Sequence, residues 1–227
     1  EVEFDRQTTQ QIARVLRLKP GSQVIVLDNQ GNELRVELVQ VSEALCTARV
    51  VSKGSAEEPR VKLMMLLSLT QREKFEWMLQ KCTEIGASIF QPVITQRTLI
   101  QEKAEVRKKY DRWQTILKEA AEQSGRGAIP SLLSPLTLAE AVIPAGKSYP
   151  IALIPWEGEK EQRIKDALRG RSESECAVLI GPEGGFAPEE VQQAVNSGFI
   201  KVSLGKRILR METAALVAAT LVFDELE

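Results

Sequence analysis

CAVLIGPEGGFAPEEVQQAVNSGFIKVSLGKRILRMETAAL, Cys176–Leu216, is the stretch from which the fold is read. It opens on a continuous apolar run, Cys176–Ile180, which stops at Gly181. Gly181, Gly184 and Gly185 allow a tight loop whose backbone approaches a ligand. Pro188-Glu189-Glu190 then opens a helix to Ser197, with proline in its first turn. A second apolar run, Phe199–Leu204, again ends at a glycine, Gly205. A basic-apolar loop follows, and Glu212-Thr213 begins a last helix, expected from about Leu209 to Glu225. Continuous apolar strands alternating with helices indicate a parallel α/β sheet buried on both faces.

Upstream the same grammar continues. Val61–Leu69, Ser88–Ile94 and Pro150–Ile154 are apolar runs. Glu73–Gly86, Glu102–Ser124 and Lys160–Leu168 carry helical patterns. Before residue 53 the pattern is different. Gln11–Leu18 places Ile12, Val15 and Leu16 at helical spacing, and Pro20-Gly21 breaks it. Gln23–Asp28, Glu33–Val41 and Leu45–Ser52 read as short strands joined by tight turns, which suggests a small β-barrel. The polar segment Lys53–Pro59 marks a boundary, giving a barrel domain over 1–58 and an α/β domain over 59–227.

Composition narrows the chemistry. The 227 residues include no histidine. That excludes a Ser-His-Asp or Cys-His unit, an HExxH zinc site and an imidazole pH switch. Catalysis must use carboxylates, basic side chains, backbone amides or a cofactor. Cys46, Cys82 and Cys176 match no zinc spacing and no disulfide framework, so buried thiols in a reducing compartment are expected. No apolar run approaches the ~20 residues of a membrane span and no signal-peptide pattern opens the chain, so a cytoplasmic protein is expected. With 30 Lys+Arg against 31 Asp+Glu, a wholly basic nucleic-acid coat is excluded. Local basic patches remain: Arg6, Arg14, Arg17 and Lys19 lie in a segment with no acidic residue, and residues 97–126 are net positive.

Three motifs carry the functional signal. In LIGPEGGF, Leu179–Phe186, a proline and a glutamate inside three glycines exceed what a turn needs, and ligands of open α/β sheets bind beyond the carboxyl ends of strands. In LGKRILRMETAAL, Leu204–Leu216, Lys206, Arg207 and Arg210 are natural partners of phosphates or a carboxylate. The small side chains of Ala214–Ala219 suit close helix packing or a subunit interface. The third motif is Glu122-Gln123-Ser124-Gly125-Arg126. Ala145-Gly146-Lys147-Ser148 looks like the end of a phosphate-binding loop, but the first glycine of that motif is replaced by Ala141.

Together these motifs resemble the ribosomal RNA small subunit methyltransferase E family, of the SPOUT superfamily. QIARVLRLKPG at 11–21 is similar to its N-terminal signature and EKFEWMLQKCTEIG at 73–86 to its first methyltransferase helix. The resemblance implies a PUA-like barrel and a parallel α/β domain with a C-terminal trefoil knot. It implies S-adenosyl-L-methionine as donor, N3 of a uridine in the 16S rRNA of the small subunit as acceptor, and a homodimer packed through the C-terminal domain. No metal is implied. Three loops would form the cofactor pocket, here Leu153–Glu157, Gly181–Gly185 and Leu204–Thr213. The implied cofactor contacts are Leu153, Ile154, Ile180, Gly181, Glu183, Gly184, Leu204, Gly205, Ile208, Leu209, Met211 and Thr213. Two positions depart from the family pattern: Gln11 stands where a histidine is frequent, and Trp156 stands where Tyr or His often precedes the glutamate.

Uridine N3 must lose its proton before it can attack. The proton goes to Glu183, Glu212 or water, or Arg126 or Arg210 stabilises the developing anion. The preferred reading is the arginine-stabilised anion, with Glu183 mainly structural. Arg6, Arg14, Arg17, Lys19 and Arg97 are candidate phosphate contacts, with Lys103, Arg107, Lys108 and Lys109 as weaker ones. Two rival readings use the same motifs: a SPOUT methyltransferase acting on another rRNA or tRNA base, and a noncatalytic RNA-binding assembly factor. The intact glycines of both loops argue against the second, because a degenerate pocket would be free to lose them.

Overall fold

The computed structural model describes all residues, Glu1–Glu227, in two compact units. The smaller comprises Glu1–Glu58 with Gly125–Ala128, and the larger Pro59–Ser124 with Ile129–Glu227. In the smaller unit, β1 (Val2–Glu3), β2 (Gln23–Leu27), β3 (Asn32–Val41) and β4 (Cys46–Ser55) form an antiparallel sheet of order β1-β4-β3-β2. The path has two ends, since β1 and β2 do not pair with each other. Alternation along β3 and β4 turns Val36, Leu38, Cys46 and Ala48 into one core. Residues 125–128 join this unit because the Gly31 N–H donates to the Gly127 carbonyl and the Ala128 N–H to Glu58.

Helix α1 (Arg6–Gln10) starts at Asp5, whose carboxylate accepts the Thr8 N–H at 2.7 Å. It runs on into a π-helical turn, Gln11–Val15, with the Leu16 N–H reaching back to Gln11. The wider turn corrects the expected stripe. Ile12 is buried, but Val15 and Leu16 are 73% and 54% exposed.

The larger unit follows the apolar runs. In chain order it contains β5 (Lys62–Ser68), α2 (Arg72–Ile85), β6 (Ile89–Ile94), α3 (Lys103–Arg107), α4 (Tyr110–Ser124), β7 (Ser131–Leu132) and β8 (Leu136–Thr137). Then come α5 (Leu138–Ser148), β9 (Ile151–Pro155), α6 (Ile164–Leu168), β10 (Glu175–Ile180), α7 (Pro188–Asn196), β11 (Ile200–Val202) and α8 (Met211–Leu226). All strand pairs are parallel, in the order β11-β9-β10-β5-β6-β7, with β8 pairing the far end of β6. Ile180 sits opposite Leu67, Val178 opposite Leu153 and Lys201 opposite Ile154. This register brings the carboxyl ends of β5, β9, β10 and β11 to one edge.

Side-chain alternation divides the core into two layers. Leu63, Met65 and Leu67 face Phe75, Met78, Trp113 and the small stripe Ala215, Ala218 and Ala219 of α8. Met64, Leu66, Ala177 and Leu179 face Leu138 and Val142 of α5 and Val191 and Ala194 of α7. The alanine stripe is thus used inside the chain, where it lets α8 approach the sheet and α2. All three cysteines are free and buried. Burial pushes the Cys82 and Cys176 thiols up to about 12, which makes them inert.

Ala145–Ser148 form the last turn of α5 and no phosphate loop. That helix starts in a capping box: the Thr137 hydroxyl faces the Glu140 N–H, and the Glu140 carboxylate accepts the Thr137 N–H at 2.8 Å. The Lys103 ammonium at 2.6 Å, with the Thr137 N–H and hydroxyl, brings the Glu140 carboxyl down to about 2. A carboxyl whose pKa is lower in the folded state adds stability above its unfolded value, and that stability is lost as pH falls through the folded value. Glu140→Gln therefore melts below the wild type at neutral pH. The gap closes as pH falls from about 4.5 to about 2. A gap that stays constant across that window in paired thermal melts refutes the role given to this carboxylate.

Candidate active site

Three loops leave the shared strand edge and enclose a cavity of about 450 Å³, within the size range of small-molecule sites. Trp156–Lys160 follows β9, Gly181–Phe186 follows β10, and Ser203–Arg210 follows β11. Lys74, in the first turn of α2, closes one side.

The middle loop is braced from several directions. Glu183 accepts from the Thr70 hydroxyl at 2.9 Å and from Lys74 Nζ at 2.7 Å. Arg97 Nη1 donates to the Gly184 carbonyl at 2.6 Å. The loop ends on Phe186, which is buried in the second core layer. A Cβ at Gly181 would stand 2.9 Å from the Phe186 ring, so glycine is what lets the ring fold back under the strand end. Glu190 ties the start of α7 to the loop after β6: one carboxylate oxygen accepts the Ala187 N–H and the other the Gln96 N–H. The backbone facing the cavity is thus preorganised.

The last loop is built differently. Gly205 has a φ of 123°, a conformation that favours glycine. The backbone groups of Lys206 to Leu209 make no hydrogen bond within the chain. One wall therefore offers unspent donors and acceptors beside apolar side chains from Ile180, Leu204, Leu209 and Met211. Arg210 is the N-cap residue of α8, and its side chain makes no ion pair. Trp156 lines the first wall, with Lys201 Nζ 5.6 Å from its ring centre.

The Lys74 ammonium, helped by the Thr70 hydroxyl and the nearby Arg210 charge, holds the Glu183 carboxyl below the usual carboxylate range. Glu183 is therefore a fixed anion and a poor proton acceptor. Glu212 lines the same cavity and has no hydrogen-bond partner within the chain.

Of the residues anticipated as cofactor contacts, Ile180, Gly181, Glu183 and Gly184 of the middle loop line the cavity. So do Leu204, Gly205, Ile208, Leu209 and Met211. Leu153 and Ile154 do not. Both are fully buried inside β9, pointing into opposite core layers, and the cavity wall begins one residue later, at Pro155. Thr213 also lies outside the lining, although its neighbours Glu212 and Ala214 are in it, because successive helix positions face different directions.

Among the anticipated catalytic residues, Glu183 and Arg210 line the cavity and Arg126 does not. Arg126 belongs to the smaller unit, where its buried guanidinium binds Glu58 through Nη2 at 2.8 Å and Nε at 3.2 Å. The Glu122–Arg126 motif is thus a helix end followed by a structural anchor. Arg126→Ala strands the Glu58 carboxylate, whose side chain is only 26% exposed. A loss of about 2–4 kcal/mol in the smaller unit is expected in urea melts, with methyl transfer per folded molecule unchanged. A wild-type melting curve refutes the anchoring role.

The anticipated phosphate contacts divide likewise. Arg6, Arg14, Arg17 and Lys19 are all exposed on the smaller unit, with Arg14 paired to Glu43. Arg97 is committed in part to Gly184, and Lys103 to Glu140. Lys74, Glu159 and Lys160 were not legible in the sequence, because nothing in their spacing links them to the glycine loops. No group of three or more Cys, Asp or Glu side chains is placed to hold a metal ion. No helix is long and apolar enough to cross a membrane.

Known proteins share this arrangement. A family model described as RNA methyltransferase domain matches residues 56–223, and one described as RNA methyltransferase PUA domain matches residues 12–51. A ribosomal RNA small subunit methyltransferase E from Synechocystis is 35% identical over 209 residues, covering 91% of this chain and 67% of that protein. Its counterpart from Bacillus subtilis is 29% identical over 95% of this chain and 87% of its own length. The crystal structure of a ribosomal RNA small subunit methyltransferase E from Neisseria gonorrhoeae, bound to S-adenosyl methionine, superposes with a TM-score of 0.86. That structure is 29% identical and the match covers 96% of this chain and 89% of that one.

Proposed function

Because the chain belongs to the RNA methyltransferase family and carries its PUA domain, we propose that it methylates N3 of one uridine in the 16S rRNA of the small ribosomal subunit. S-adenosyl-L-methionine is the donor in this reading. The observation that carries it is the cavity at the carboxyl ends of β9, β10 and β11. Its apolar wall, braced glycine loop and unspent backbone groups suit a flat adenine with a polar edge. The relative from Neisseria gonorrhoeae holds that cofactor.

When bound, the cofactor supplies an electrophilic methyl group on a sulfonium. The chain's own residues position and stabilise. The backbone of Gly181 and Gly184 approaches the ligand, and Leu204, Leu209 and Met211 shield its apolar parts from water. Arg210 places a fixed positive charge where the uracil ring becomes an anion as N3 gives up its proton. Glu183 keeps the middle loop on Thr70 and Lys74. Glu212, unpartnered in the same cavity, is left to receive the proton. The exposed Arg6, Arg17 and Lys19 of the smaller unit supply phosphate contacts.

The reading extends to a homodimer in the cytoplasm and to a SPOUT-type trefoil knot at the C-terminal end. The knot is supported by the chain's path, which leaves the sheet edge at β11 and returns as α8 to pack on α2, α6 and β10. The test of function is incubation with undermethylated small-subunit particles and labelled cofactor, followed by mass mapping of the nucleosides. 3-Methyluridine at a single position is expected. Another methylated nucleoside moves the chain to a different acceptor, and RNA binding without transfer makes it an assembly factor.

A further inference from the structure

Helix α2 places Glu73, Lys74 and Trp77 on one face, because residues three and four apart lie over one another. With Glu212 from the first turn of α8 they line a shallow hollow. Lys74 and Glu212 also line the cofactor cavity, so the two spaces share a wall. Trp77 is 41% exposed there, whereas Phe75, Met78, Leu79 and Cys82 of the same helix are buried. Trp113 on α4 shows the contrasting use of the side chain, fully buried with its ring 4.4 Å from that of Phe75. Packing of the larger unit does not account for an indole left exposed in the hollow beside the cavity.

We infer that this hollow is the subsite for the target pyrimidine, with the Trp77 indole as its stacking platform. The inference rests on the uridine reading above and names where the base sits. A nucleobase needs a partner for its π-face and partners for its edge. Trp77 provides the first, and base–aromatic stacking is strong enough to hold an unstacked base. Lys74 and the carboxylates provide the second. The Lys74 ammonium has three N–H donors and no acceptor, and one donor is spent on Glu183. A remaining donor suits the O4 carbonyl beside uracil N3, where cytosine presents an amino donor instead, and it leaves N3 itself open. The shared wall turns the N3 edge toward the cofactor cavity, past Glu212. Trp77 is a positioning residue under this scheme.

The experiment compares Trp77→Ala and Trp77→Phe with the wild type on undermethylated small-subunit particles, with cofactor affinity, thermal melting and sedimentation measured in parallel. Trp77→Ala is expected to lose about tenfold or more in kcat/KM for the particles, the scale of one base–aromatic stack. Cofactor affinity, melting and sedimentation stay at wild-type values, and Trp77→Phe retains most of the activity. An active wild type with Trp77→Ala equally fast overturns the inference alone. So does a loss that Trp77→Phe shares and that comes with altered sedimentation, which makes Trp77 a subunit contact. A wild type that methylates no uridine overturns the functional reading and this inference with it.

Discussion

Arg210→Ala lowers single-turnover methyl transfer by about a hundredfold at saturating cofactor, the scale for removing one preorganised donor from a developing anion. The guanidinium is available for this because it has no ion pair, lines the cavity, and stands at the start of α8. Its charge is not indifferent to the site, since it contributes to keeping Glu183 ionised. Arg210→Lys recovers only part of the rate, because an ammonium replaces the charge but not the planar fork of donors. The effect must appear in the chemical step with cofactor affinity largely preserved. A variant with a wild-type rate at saturation, or one that only weakens cofactor binding, removes Arg210 from anion stabilisation. Arg126→Ala is the internal control: it changes stability and leaves the chemical step alone.

Gly146→Ala destabilises the larger unit although alanine is the better helix former. Propensity alone favours the change by about 1 kcal/mol. The packing opposes it more strongly. A Cβ at Gly146 would lie 1.8 Å from the Ser197 carbonyl oxygen, and a Cβ at Gly198 would lie 2.8 Å from the Gly146 carbonyl. Helix α5 and the turn after α7 therefore touch backbone to backbone. A carbonyl held in a helix C-terminus cannot swing aside as a long side chain can, so α5 itself must shift. Overpacking of this kind costs typically 1–3 kcal/mol and occasionally more. A net loss of about 2 kcal/mol in urea melts is expected once propensity is subtracted. A variant more stable than the wild type shows that α5 and α7 do not approach this closely.

Much of the architecture was legible because it is local. Val61–Leu69 and Cys176–Ile180 are apolar on both alternating faces, and only a sheet covered on both sides accepts that pattern. The glycines after Ile180 and Leu204 mark strand ends where the chain turns toward a ligand. The helix over Leu138–Ser148 was not legible, because Pro144 and Gly146 oppose helical propensity and only the capping box and packing override them. The burial of Ile12 without Val15 and Leu16 was likewise hidden, since a π turn shifts the phase of the helical pattern.

The site divides along the same line. The sequence by itself determined that the chain has no imidazole to use, and it put Glu183 and Arg210 in the two glycine-loop motifs that line the cavity. Those conclusions depend on residue type and on spacing along the chain. Tertiary structure alone decided what each charge does. It gave Arg126 to Glu58, Arg97 to the Gly184 carbonyl, and Lys74 to Glu183 across 109 positions of sequence. It left Arg210 and Glu212 without ion pairs on the cofactor cavity, and Trp77 exposed in the hollow beside it. Long flexible side chains choose partners by distance in space, and that distance has no counterpart in sequence separation.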